Sequence, residues 1–558
     1  VRRVGAFIAY TWLVWPCRFL SVDSREARGQ DSGCYSLVLA ELELDEGRTM
    51  LAKVKSCAVV GIEAKMVEVE VDLAPGTCIY SVVGLPDTAV KESKERVIAA
   101  LRNAGFDLPD GRITVNLAPA SVKKQGAGLD LPIAVGILAA QGFVERPSLA
   151  KFCIIGELSL DGRVREVAGL LPMTMAARDV NCAAMIVPDA NASEAGVVDS
   201  VDVFAVSSLA QTIDFINGNV QIPRTVVDMK QAFETASHYR VDFADVKGQL
   251  YAKRALEVAV AGAHNVVMIG PPGAGKTMLA KRLPTILPEM TLQESLETTK
   301  IHSVAGQLSK GQSLVATRPF RSPHHTISDA GLIGGGAYPR PGEVCLAHNG
   351  VLFLDEMPEF HRNVLEVLRQ PLEDGSVTIS RAALSVKFPT RFMLAAAMNP
   401  CPCGHLTNPK VACKCTPVQI QRYRSRISGP LLDRIDIHLD VPVVPYSDLA
   451  KWSPGEKSEA VRTRINAARK VQQERFRDEP FFCNAHMQSR DIKRYCRLDE
   501  QCEAIMEAAI NRMGMSARAY DRILKVARTI ADLADEPNLL PEHISEAVQY
   551  RTLDRQFS

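Results

Sequence analysis

The chain has 558 residues, long enough for three domains. It is 47% hydrophobic with a formal net charge of +1, which excludes a disordered polyelectrolyte and describes a soluble, globular protein. That balance does not advertise a nucleic-acid partner, so any basic surface must be local.

The first 49 residues differ from the rest. Val4 to Leu20 is largely apolar behind Arg2 and Arg3, and could pass for a signal peptide or short membrane anchor, but Pro16, Cys17 and Arg18 interrupt it. Residues 21–49 are polar and without period. The expectation is an extension outside the fold, upstream sequence translated in frame. The working chain then starts at Met50-Leu51-Ala52 and no segment spans a membrane.

Residues 50–220 form the next unit. Val67, Val69 and Val71 alternate with Glu68, Glu70 and Asp72, which predicts a half-buried strand. Thr88 to Ala104 reads as a helix with Val90, Val97, Ile98 and Leu101 on its apolar side and Gly105 at its end. Ile113 to Leu117 reads as another strand. The alternation predicts an α+β or α/β domain. Residues 221–240 read as a linker.

The strongest chemical signal follows. Val266 to Ile269 is an apolar run that reads as a buried strand. Gly270-Pro271-Pro272-Gly273-Ala274-Gly275-Lys276-Thr277 comes next, and Met278 to Leu283 opens a helix-like segment. Strand, glycine-rich loop and helix are the context of a phosphate-binding P-loop. Its glycines let backbone N–H groups turn inward around phosphate oxygens. Lys276 can reach the β- and γ-phosphates of ATP, and Thr277 can hold Mg²⁺.

Farther along, Val351 to Leu354 is a second apolar run ending in Asp355 and Glu356. Carboxylates at that edge of an open α/β sheet face the ligand. Asp355 would hold Mg²⁺ through water, and Glu356 would polarise the attacking water. A third run, Arg391 to Met398, ends at Asn399, whose amide can orient that water or sense the γ-phosphate. Ser428 to Asp436 presents Arg434 after a short apolar turn; an arginine meeting a neighbouring subunit's γ-phosphate stabilises transition-state charge. Arg518, in Ser516-Ala517-Arg518, opens a helix of apolar period and could contact nucleotide from a helical lid.

Of the 14 cysteines, four cluster as Cys401-x-Cys403 and Cys413-x-Cys415. Four thiolates at that spacing could close a tetrahedral structural Zn²⁺ site, with His405 able to replace one of them; reduced free thiols are the alternative, disulfides a lesser one. Arg422, Arg424 and Arg426 form one local basic cluster. Arg462, Arg464, Arg469, Lys470, Arg475 and Arg477 mark a basic helix. Both read either as solvated faces or as surfaces tracking a phosphate backbone.

The order of these motifs resembles AAA+ ATPases of the magnesium-chelatase and MCM-like branch over roughly residues 240–555. Pro319 to Thr326, Gly334-Gly335-Gly336 and Pro339 to Glu343 look like the insert that precedes the Asp-Glu strand in that branch. In the N-terminal half, Lys124 to Pro132 and Gly156 to Leu171 resemble the proteolytic domain of Lon-type proteases. The nucleophilic serine of that domain falls near Gly128 and its activating lysine at Leu171, so peptidase activity is not expected. Ser121 and Lys123 lie close in sequence but carry little weight. Together the two halves resemble the YifB/ComM family of magnesium-chelatase-like proteins.

The resemblance implies an α/β multidomain architecture. A degenerate Lon-protease-like (ribosomal S5 domain 2-like) α+β domain would span 50–220. A P-loop AAA+ core would span 241–445, with a zinc-binding insert at 401–415. A magnesium-chelatase-type C-terminal helical lid would span 446–558. The resemblance also implies ATP and Mg²⁺ as cofactors, a homo-hexamer, a cytoplasmic setting, and single-stranded or branched DNA as partner. ComM-type members of the family act as helicases that promote branch migration in natural transformation. Two other readings stay open: a metal-inserting chelatase subunit, for which no acidic metal-binding domain is visible, and a protein-remodelling or regulatory ATPase.

Overall fold

The computed structural model describes residues 51–109, 111–124, 126–336, 338–381, 384–407, 411–443, 455–513 and 516–551. The expected extension 1–49 lies outside them, as does the expected boundary at 445/446.

Residues 51–206 build a seven-stranded mixed sheet. Its strands are β1 (Leu51–Val60), β2 (Glu63–Ala74), β3 (Ile79–Val83), β4 (Arg112–Ala118), β5 (Phe152–Ile154), β6 (Ala184–Pro188) and β7 (Asp202–Val206), in the spatial order β3-β4-β2-β1-β5-β6-β7. β2 pairs antiparallel with β1 and β4, whereas β5, β6 and β7 run parallel. The alternation read in β2 is realised: Val67, Val69 and Val71 are buried while Glu68, Glu70 and Asp72 face outward to varying degrees. The expected helix spans Thr88–Asn103 and is capped by Asp87, whose carboxylate accepts from Val90 N at 2.9 Å. The helix Asp130–Gln141 is buried on nearly all sides beneath this sheet.

The segment read as a linker is not bare. It carries the helix Met229–Ala236, and Thr225 N donates to Val203 O at 2.8 Å, folding the chain back against β7.

The second sheet holds the nucleotide-site motifs. It has five strands, all parallel: β8 (Val266–Ile269), β9 (Phe320–Arg321), β10 (Val351–Leu354), β11 (Met393–Met398) and β12 (Ile437–Asp440), in the order β9-β10-β11-β8-β12. β8, β10 and β11 are apolar at every position and fully buried, as a parallel sheet covered on both faces requires. Because β8 and β11 pair in register, with Ile269 opposite Met398, Gly270 and Asn399 leave the sheet side by side. A hairpin, Ser376–Arg381 with Leu384–Pro389, projects between β10 and β11 in sequence.

The C-terminal helices Ser458–Arg475, Glu500–Met513, Ala517–Leu533 and Pro541–Gln549 share one hydrophobic cluster with β8 and the helix Leu250–Gly262. The two sheets are joined as well. Gly169 N donates to Ser303 O at 3.0 Å, Ser303 Oγ donates to the buried Glu194 carboxylate, and Lys300 pairs with Glu63 at 3.2 Å. Among the described residues no helix is long and apolar enough to cross a membrane.

Candidate nucleotide site

The P-loop backbone is dictated by close approach and handedness. A Cβ at Gly270 would stand 2.2 Å from Val441 O, so only glycine fits there. Gly273 and Gly275 have φ of 77° and 89°, the left-handed region in which other residues are strained. Gly275 then caps the helix Lys276–Ala280, whose N-terminus carries the partial positive charge that favours phosphate.

The motif side chains from three strands converge at this edge. Lys276 Nζ donates to Gly270 O (2.6 Å), Pro271 O (3.1 Å) and Asn399 Oδ1 (3.3 Å). Burial lowers its pKa, with Asp355 and Glu356 pulling the other way. Thr277 Oγ1 donates to Asp355 Oδ2 at 2.8 Å, which sets a hydroxyl and a carboxylate side by side, the oxygen donor set that suits Mg²⁺. Glu356 sits just past Asp355 with φ of 50° and its side chain half exposed. A left-handed non-glycine residue costs on the order of 1 kcal/mol and turns the carboxylate out of the strand direction.

Two residues of the site carry no motif of their own. Gln249, itself left-handed, donates from Nε2 to Ala274 O at 2.7 Å and braces the P-loop from the start of the preceding helix. His325, stacked on His324 at 4.1 Å between ring centroids, places Nδ1 3.8 Å from Glu356 Oε2. The signal for His325 was the His-His pair in the insert; Gln249 had only the Gly248-Gln249 turn before an apolar helix.

Arg434 and Arg518 lie elsewhere. Arg434 O accepts from Asn265 Nδ2 at 2.9 Å, and Asn265 precedes β8. The arginine loop is therefore at the opposite end of the sheet from the P-loop, across four strand residues or about 13 Å. The Arg434 guanidinium pairs with Glu373. Arg518, expected in a lid over nucleotide, instead pairs with Asp433 at 3.2 Å, beside Arg434, and is largely exposed.

The four motif cysteines come together, with every Sγ within 4.8 Å of the others. The Cys401–Cys403, Cys401–Cys413 and Cys403–Cys413 separations are 3.4, 3.6 and 3.6 Å. The backbone amides of His405 and Lys414 draw the Cys403 pKa down to about 6. At Cys413 the Cys415 amide works against burial and the neighbouring sulfurs, which hold the thiol up at about 12.

The basic clusters are largely consumed inside the fold. Arg424 is buried on Pro400 O and Arg426 pairs with Glu359 at 2.6 Å. The basic helix exists as Ser458–Arg475, but Arg464 pairs with Glu257 and Glu456, Arg469 donates to Val260 O, and Arg475 holds Asp532. Only Arg422, Lys470 and Arg477 of the two clusters stay exposed without such a partner.

The Lon-like locus is packed shut. A Cβ at Gly128 would meet Val167 Cγ1 at 3.0 Å, and Leu171 is completely buried. Lys123 lies over the Tyr338 ring at 4.5 Å rather than beside Ser121, and Lys124 is buried donating to Leu117 O at 2.7 Å.

Three family models match the chain: "Magnesium chelatase, subunit ChlI" over 242–449, "Subunit ChlI of Mg-chelatase" over 69–191, and "Magnesium chelatase, subunit ChlI C-terminal" over 455–551. Competence protein ComM of Haemophilus influenzae is 44% identical over 507 residues, covering 90% of this chain and 98% of that protein. YifB of Salmonella typhimurium is 41% identical over 511 residues, covering 90% and 98%. Lon protease 2 of Bacillus subtilis is 31% identical over 153 residues, 26% of this chain and 27% of that protein. Fold and site thus define a magnesium-chelatase-like AAA+ protein. The chain belongs to its YifB/ComM family.

Proposed function

We propose that this protein is an ATP-hydrolysing ring motor that remodels DNA, a helicase or branch-migration factor in natural transformation and recombination. ATP binds through residues 270–277, with Thr277 and Asp355 holding Mg²⁺, Glu356 activating water and Asn399 reporting on the γ-phosphate. The observation that carries the ATPase half is the convergence of Lys276, Thr277, Asp355 and Asn399 at one sheet edge. The DNA half is supported by the 44% identity to a protein named for competence. Arg434 and Arg518 serve the next subunit's nucleotide, because they sit together at the far edge of the sheet. Oligomerisation, as a hexamer in the cytoplasm, then comes with the chemistry.

The domain partition follows the same reading. A Lon-like domain at 50–220 acts as a non-proteolytic scaffold, a AAA+ core spans 241–445, and a helical domain 446–558 supports the arginine edge. Four thiolates in the insert 401–415 hold a structural Zn²⁺.

The chelatase reading is favoured by one finding, the printed description of the matched family models. The two readings part on what accelerates turnover. ATPase rate is measured with no DNA, single-stranded DNA and branched DNA at two salt concentrations. A salt-sensitive rise with DNA, absent from Lys276→Ala, is expected. A rate indifferent to every DNA form contradicts the DNA half and leaves the ATPase half standing.

A further inference from the structure

The four-cysteine knuckle is not an isolated staple. It begins one residue after Asn399, the amide that accepts from Lys276. Its Gly404, at φ of 79°, lies so close to the P-loop that a Cβ there would stand 2.6 Å from Pro272 Cδ and 2.8 Å from its Cγ. The helix that leaves the knuckle, Pro417–Arg424, returns to the same place. Arg424 donates twice to Pro400 O, at 3.3 and 3.1 Å, and the Tyr423 hydroxyl meets the Asn399 backbone. Both ends of the knuckle are thus pinned to Asn399-Pro400, and its middle leans on the P-loop.

The knuckle has little apolar substance to hold that shape. Leu406 and Val411 are exposed, and of the four cysteines only Cys401 is buried. Sulfur separations of 3.4–3.6 Å are close to the edge of about 3.8 Å for a tetrahedron with metal–sulfur bonds of about 2.3 Å. Four thiolates in that arrangement select zinc over magnesium, and in such a small module the metal's binding energy is folding energy.

We propose that Cys401, Cys403, Cys413 and Cys415 bind Zn²⁺ and that the metal-closed knuckle props Pro272 and Asn399, so that zinc occupancy sets nucleotide affinity. The proposal rests on reading residues 270–277 as the ATP site. Zinc would act only as a brace: it holds Gly404 against Pro272 and keeps Asn399 within reach of Lys276. Loss of zinc would release the knuckle and loosen both contacts.

The test uses the full chain. Zinc is quantified by mass spectrometry, and dissociation constants for a fluorescent ATP analogue are measured before and after chelation, then after adding Zn²⁺ or Mg²⁺. One zinc per chain is expected. Stripping weakens nucleotide binding by about tenfold or more, and Zn²⁺ but not Mg²⁺ restores it. Gly404→Ala guards against general unfolding: it keeps the four thiols and the zinc, yet weakens nucleotide binding by about three- to tenfold by pressing on Pro272. A chain purified without zinc that binds nucleotide tightly, or a stripped chain of unchanged affinity, overturns the proposal. Failure of the zinc-loaded wild type to bind any nucleotide overturns the ATP-site reading itself.

Discussion

The two sheets of this protein end in opposite ways. In the parallel sheet, β8, β10 and β11 are apolar to their last residue, and the next residues of each are polar and functional in type: the P-loop, Asp355-Glu356 and Asn399. Parallel register delivers them to one edge, where Lys276 bonds Asn399 and Thr277 bonds Asp355. In the N-terminal half, the positions matching the Lon serine and lysine are Gly128 and Leu171, packed against Val167 and inside the core. The fold has kept its packing there without the reactive pair. A resemblance of sequence therefore transfers architecture readily and chemistry only where the reacting side chains are present.

The sharpest way to break that contrast is at Glu356. Glu356→Gln should lower ATP turnover by about 10²–10⁴-fold while nucleotide affinity stays within about threefold, measured by phosphate release and by equilibrium binding. Normal turnover would remove Glu356 from the chemistry.

At the other locus, the pair Gly128→Ser/Leu171→Lys restores the residue types of a Ser–Lys peptidase. No casein hydrolysis is expected. A lysine at position 171 would be buried without a partner, so stability in urea should fall by about 3 kcal/mol. Peptide-bond cleavage by this variant would mean the locus is better preserved than its packing indicates.

A smaller effect concerns Asp130 in the same segment. It is buried and held by Arg96 at 2.7 and 3.1 Å, and burial outweighs that pairing to raise its pKa to about 6. A carboxyl with a folded pKa above its unfolded value near 3.9 binds more protons in the folded state, so its contribution to stability falls as pH rises from about 4 to 6. Asp130→Asn removes that titration. The stability difference between wild type and variant should therefore shift by about 2 kcal/mol against the wild type across that range and stay constant above it, as read from urea midpoints. A difference independent of pH would place the Asp130 titration outside the range.

Much of the nucleotide edge was legible because its signals are local: apolar runs, glycines at fixed offsets, and a polar residue directly after each run. β2, the helix Thr88–Asn103, β8 and β10 were read from short-range periodicity for the same reason. What escaped depends on partners distant in sequence. The basic helix looked free because its acids, Glu257 and Asp532, lie far along the chain. Arg518 looked like part of a lid over nucleotide because nothing local announces Asp433, the residue that holds it beside Arg434. His325 came to Glu356 only through the fold of the insert. Gln249 reached the P-loop through a single left-handed residue.

The most direct measurement is strand exchange on a synthetic branched DNA junction by the full chain with Mg²⁺ and ATP, with Glu356→Gln and a non-hydrolysable ATP analogue in parallel. The account predicts resolution of the junction by the wild type with ATP and none in the two controls. A wild type that hydrolyses ATP in the presence of the junction and leaves it intact would contradict a DNA motor.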